Sequence, residues 1–72
     1  MKRIEIPEEI IDIALSIIKN EDAISISFLQ RNFPYYISYD LAEQIILTLE
    51  NKGIIGMPNE KRQRKILKKS LE

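Results

Sequence analysis

Apolar positions repeat along this chain with two different periods, and the change of period divides it into elements. From Ile10 to Ile18 the apolar residues Ile10, Ile11, Ala14, Leu15, Ile17 and Ile18 cover one broad side of a helical repeat. Glu9, Asp12, Ser16 and Lys19 take the other side. Pro7 suits a helix start, and Glu8 and Glu9 suit the positive end of the helix dipole. The pattern predicts a first helix over residues 8–19, ended by Asn20, Glu21 and Asp22. Ala23 to Ile26 is short, apolar and β-branched, as a brief strand paired with a later hairpin would be.

Ser27 fits an N-cap, and Gln30 three residues on completes a capping box. A short second helix over residues 28–32 follows, with Phe28, Leu29 and Phe33 as buried candidates. Pro34 stops it, and residues 34–37 form the turn. Ser38 opens a third helix, with Asp40 as a competing cap. Leu41, Ala42, Ile45, Ile46 and Leu49 recur at helical spacing through residues 39–52, and Gly53 falls where a left-handed C′ residue belongs. Ile54 and Ile55 begin a strand, residues 56–63 are a polar tip containing Pro58 and Asn59, and residues 64–67 return as the second strand. Residues 68–72 read as a frayed end. This order predicts a mainly α fold with a small β-hairpin, a winged helix-turn-helix. It is expected as a single domain over residues 1–72, ordered over residues 7–67. The expected core is Ile10, Ala14, Ile17, Phe28, Leu29, Leu41 or Ala42, Ile45, Leu49, Ile54 and Leu67.

Charge changes the picture. The 72 residues carry no net charge, but residues 1–60 hold five basic and ten acidic side chains, whereas residues 61–72 hold six basic and one acidic. An acidic body with a basic end points to an anionic partner met through the hairpin and the tail. The chain has no cysteine and no histidine. That excludes a disulfide framework and thiolate metal sites, and it removes the commonest general base. Ser25, Ser27 and Ser38 have no histidine to activate them, and Glu8, Glu9 and Asp12 fit a solvated stripe better than a metal or acid–base site. Neither catalysis, a metal, a cofactor nor a small-molecule substrate is expected. No apolar run approaches the roughly 18 residues of a membrane span, so no membrane partner is expected and the location reads as cytoplasmic.

Several of these residues also carry a resemblance. Ser25-Ile26-Ser27, Gln30-Arg31, Ile37-Ser38-Tyr39, Ala42, Ile45-Ile46, Glu50, Gly53-Ile54 and Arg64-Lys65-Ile66-Leu67 come in an order that resembles the gamma domain at the C-terminus of FtsK/SpoIIIE DNA translocases, over residues 8–67. The resemblance implies a three-helix winged-helix domain that reads short polarised DNA sequences, directs a hexameric motor and touches a tyrosine recombinase. The chain departs from that pattern at Pro34-Tyr35-Tyr36, which lengthens the turn. It departs again at Asp40-Leu41-Ala42-Glu43-Gln44, where the family places two DNA-reaching arginines.

Two candidate surfaces follow. For double-stranded DNA, Ser38, Tyr39, Asp40, Leu41 and Gln44 line the front of the third helix, and Lys61, Arg62, Arg64 and Lys65 supply the wing. Gln44 suits adenine, and Asp40 or Glu43 suits the cytosine amino group, although each carboxylate also meets phosphate repulsion. Four neutralised phosphates give a slope of log affinity on log salt of about −3.6. The alternative is a protein-contact or self-association face built from Tyr35, Tyr36, Leu41 and Leu47, whose exposed apolar groups suit a protein partner better than DNA.

Overall fold

The computed structural model describes residues 6–67. Among the described residues three helices and three short strands follow in the order α1 (Glu8–Ile18), β1 (Ala23–Ile24), α2 (Ile26–Asn32), α3 (Tyr39–Asn51), β2 (Ile55–Pro58) and β3 (Arg64–Ile66). The strands form one antiparallel sheet in the order β1-β3-β2. Its register pairs Ala23 with Lys65 and Ile55 with Ile66. The Ile66 amide donates to the Asp22 carbonyl across 2.9 Å and the Leu67 amide to the Ile54 carbonyl across 2.7 Å, which carries the ladder one step past the strand ends. This is the expected winged-helix architecture, with β1 as the third strand of the wing's sheet.

Each helix end has a local cause. Pro7 caps α1 through its backbone, its carbonyl accepting from the Ile10 and Ile11 amides at 3.0 and 3.3 Å. Ser25 caps α2, its hydroxyl accepting from the Phe28 amide at 3.1 Å. The expected cap at Ser27 and its box with Gln30 do not form. The helix begins two residues earlier, because Ser25 has the extended backbone a cap requires. Gln30 instead donates from Nε2 to the Ile37 carbonyl at 3.2 Å and so fastens α2 to the following turn. Pro34 holds Phe33 extended at φ −69°, ψ 146°, which ends α2. Ser38, not Asp40, caps α3 by accepting from the Leu41 amide at 3.1 Å. At the other end Gly53 adopts φ +76°. Its amide donates to the Glu50 carbonyl at 2.9 Å, and that of Ile54 donates to the Leu49 carbonyl at 3.0 Å, a Schellman closure.

The core draws Ile11, Ala14 and Ile18 from α1, Ile24 from β1, Leu29 from α2, Phe33 and Ile37 from the turn, and Ala42, Ile45, Ile46 and Leu49 from α3. Ile54, Ile55 and Ile66 complete it from the hairpin. Three expectations are corrected. Ile10 and Ile17 are only half-buried, because α1 turns its Ile11, Ala14 and Ile18 edge inward. Of Leu41 and Ala42, the alanine is the one enclosed, and Leu41 and the expected core residue Phe28 are each only half-buried at the core's margin. Leu67 is 58% exposed, whereas its neighbour Ile66 is buried. A one-residue step on a strand exchanges its faces. β2 also extends through Gly56, Met57 and Pro58, which the sequence had suggested as loop. It is an edge strand, so Pro58 leaves no ladder donor missing.

Candidate nucleic-acid interface

The tip of the hairpin is a built loop rather than a slack one. Between Pro58 and Arg64 the chain reverses through Asn59–Gln63, and the Asn59 amide donates to the Gln63 carbonyl at 2.8 Å. The Asn59 side chain gathers the turn, its Oδ1 accepting from the Lys61 and Gln63 amides at 2.8 and 2.9 Å. Arg62 is left with φ +62°, a left-handed conformation that costs a side-chain-bearing residue roughly 1–2 kcal/mol. The Arg62 amide donates to the Asn59 carbonyl at 3.0 Å and helps hold it there. The loop thus projects Lys61 and Arg62 in a set direction.

That direction is toward the helices. Lys61, Arg62 and Gln63 form one wall of an open groove of about 460 Å³, and Ser25, Ser27, Arg31 and Tyr39 form the other. Arg31 lies in the last turn of α2 and Tyr39 is the first residue of α3. Three cations from two separate elements therefore converge beside the start of α3. Among the described residues, Arg31, Lys61 and Arg62 make no ion pair. Their charge faces solvent uncompensated, which suits an anion with hydroxyl-accepting oxygens.

The remaining sequence-derived candidates divide. Ser38 has its hydroxyl engaged in capping α3. Tyr39 is 53% exposed along the groove, and Asp40 is exposed in the first turn of α3. Gln44 is half-buried, its carbonyl accepting the Thr48 hydroxyl at 2.8 Å while its side-chain amide has no partner among the described residues. Leu41 turns toward the core margin. Lys65 is exposed on the face of β3 opposite Arg64 and Ile66, away from the groove's lining. Arg64 points inward. Its Nη1 donates to Glu50 Oε1 at 2.9 Å and to the Gly56 carbonyl at 3.3 Å, and its side chain is 16% exposed. A guanidinium so occupied anchors the wing rather than reaching for a phosphate. The sequence reading did not single out Arg31 or Asn59 for the interface. Arg31 is the sole cation of α2, which is the one signal for it that the sequence held.

The protein-contact set divides as well. Tyr36 is 84% and Tyr35 51% exposed, with the Tyr35 ring edge-on to Phe33 at 5.2 Å. Leu47 is 37% exposed, but Leu41 lies six residues back and about a third of a turn around α3. The two leucines do not make a common patch.

Among the described residues, no helix is long and apolar enough to cross a membrane, and no group of His, Cys, Asp and Glu is arranged to hold a metal ion. No curated protein and no solved structure matches the chain. The family model described as the Ftsk gamma domain matches residues 6–69. With a winged-helix fold and a match over most of its length, this chain belongs to the FtsK gamma domain family, which is generally DNA-binding.

Proposed function

We propose that this domain binds double-stranded DNA with α3 directed into the major groove and the wing tip laid along the backbone. The observation that carries this reading is the convergence of Arg31, Lys61 and Arg62, without an ion pair among the described residues, on the open groove at the start of α3. A duplex presents a line of phosphates beside a groove wide enough for a helix, and this surface offers a helix beside a line of cations. The hydroxyls of Ser25, Ser27 and Tyr39 add neutral donors for phosphate oxygens. Tyr39 sits where the backbone passes from the wing to α3.

The role is that of a binding module and not of an enzyme. It uses three of the cations that meet at the groove, with Arg31 in the place that the sequence had suggested for Arg64. Phosphate contacts position a protein on DNA without choosing its sequence, so the cations account for affinity and register. The test is a fluorescence anisotropy titration of a labelled duplex with the wild type and with Lys61→Gln/Arg62→Gln. The substitutions are expected to weaken binding by tenfold or more at low salt while the melting temperature stays put. Equal affinity for the two proteins would remove the wing from the interface.

A further inference from the structure

Ala42, Ile45, Ile46 and Leu49 bury one side of α3, which turns Asp40, Gln44 and Leu47 outward on the opposite arc. Glu43 sits off that arc, on the same side as Tyr39 and Glu50, toward the hairpin. No lysine or arginine occurs anywhere in Tyr39–Asn51. The Asp40 side chain has no hydrogen bond or ion pair among the described residues, since Ser38 has taken the capping role. The Gln44 side chain is likewise unengaged, and Leu47 is 37% exposed. Over residues 40–47 the arc that would meet base edges therefore presents a pure acceptor, an amide and an aliphatic tip, with the exposed Asn51 amide at its far end.

Base edges in the major groove sort these groups sharply. Guanine offers two acceptors, N7 and O6, and is read by paired donors from arginine or lysine. This arc has neither, and a carboxylate set against those acceptors is repelled. The donors available in the major groove are the exocyclic amino groups of cytosine and adenine, and a carboxylate can accept from either. A glutamine amide matches adenine by donating to N7 and accepting from N6. An aliphatic side chain matches the methyl group of thymine. The wing cations and the positive end of the α3 dipole, where Asp40 lies, offset the approach of that carboxylate to phosphate.

We infer that α3 selects DNA by base-edge amino and methyl groups, with Asp40 and Gln44 reading cytosine and adenine and Leu47 contacting thymine, and that it disfavours guanine at those positions. This inference rests on the DNA-binding reading above and names the bases that reading would admit.

The test is selection of binding sites from a randomised duplex library by the 72-residue chain, in parallel with Asp40→Asn and Leu47→Ala. The wild type is expected to enrich a C·G pair at the start of α3 followed by A·T pairs further along it, the choice between the two kinds of pair being what the selection reads. Asparagine both donates and accepts, so Asp40→Asn should shift that preference toward adenine and lower discrimination for cytosine by about tenfold. Leu47→Ala should relax the choice of thymine alone. Circular dichroism melts should show both variants folded, with Asp40→Asn lowered by no more than the loss of one charge at the α3 N-terminus. Recovery of uninterrupted G·C pairs across the site, an unselected pool, or a C·G preference unmoved by Asp40→Asn would overturn the inference while leaving DNA binding intact. Absence of any duplex binding at low salt would overturn the DNA-binding reading and this inference with it.

Discussion

The Arg64 guanidinium reaches Glu50 across 2.9 Å, so that a side chain of the wing's returning strand is fastened to the last turn of α3. The same nitrogen meets the Gly56 carbonyl on β2. One cation thereby joins α3, β2 and β3 at the base of the hairpin and fixes the angle at which the tip approaches the groove.

Arg64→Met keeps the aliphatic stem and removes the charge, leaving the partly buried Glu50 without its partner. A hydrogen bond to a charged group contributes about 1.5–3 kcal/mol, and partial solvent access brings the expected loss to about 1–2 kcal/mol. A urea titration at constant m-value measures it. The salt dependence of DNA binding should stay at its wild-type slope, because the Arg64 guanidinium is already held by Glu50 and the Gly56 carbonyl.

Arg31 and Lys61 should behave the opposite way. Replacing either with glutamine is expected to leave the melting temperature unchanged and to flatten the slope of log affinity on log salt by about 0.9, one phosphate's worth. Lys65→Gln should leave the slope alone, because Lys65 stands outside the groove's lining.

Arg62 couples strain to position. Arg62→Gly relieves the left-handed conformation at φ +62°, an effect partly offset by the greater freedom of glycine in the unfolded chain. The variant is expected to be as stable as the wild type or more stable by up to about 1 kcal/mol, and to bind DNA more weakly. Denaturation and anisotropy on the same sample separate the two effects.

The two serines around α2 also make a clean comparison. Ser25→Ala removes the acceptor for the Phe28 amide and should cost about 1 kcal/mol. Ser27 lies inside the helix, is exposed and caps nothing, so Ser27→Ala should be neutral or stabilise by a few tenths, because alanine has the better helix propensity. Thermal melts of the pair decide which serine is the cap.

That comparison marks where the sequence was informative and where it was not. Helical spacing in residues 39–52 identified α3 and its inward side correctly, because its polar and apolar arcs are distinct. The Gly53 closure was equally legible, since few residues tolerate its conformation. Helix α1 was harder: isoleucines at 10, 11, 13, 17 and 18 surround much of it, so periodicity found the helix but not which edge faces inward. Ser25 and Ser27 are both good caps, and only the pairing of Ala23 and Ile24 with β3 decides between them. At the wing, composition located the cations but could not say which one turns inward. Arg64 is held by Glu50, fourteen residues back, and Arg31 joins the groove from a different element, so both assignments needed the tertiary fold.

Salt dependence of duplex binding by the wild-type chain is the most direct test of a DNA surface on this domain. Anisotropy titrations between about 50 and 200 mM salt should show binding at the low end that weakens with a slope near −2.7, the value for three neutralised phosphates. Failure to bind at the low end, or an affinity indifferent to salt, would contradict a DNA surface built on Arg31, Lys61 and Arg62.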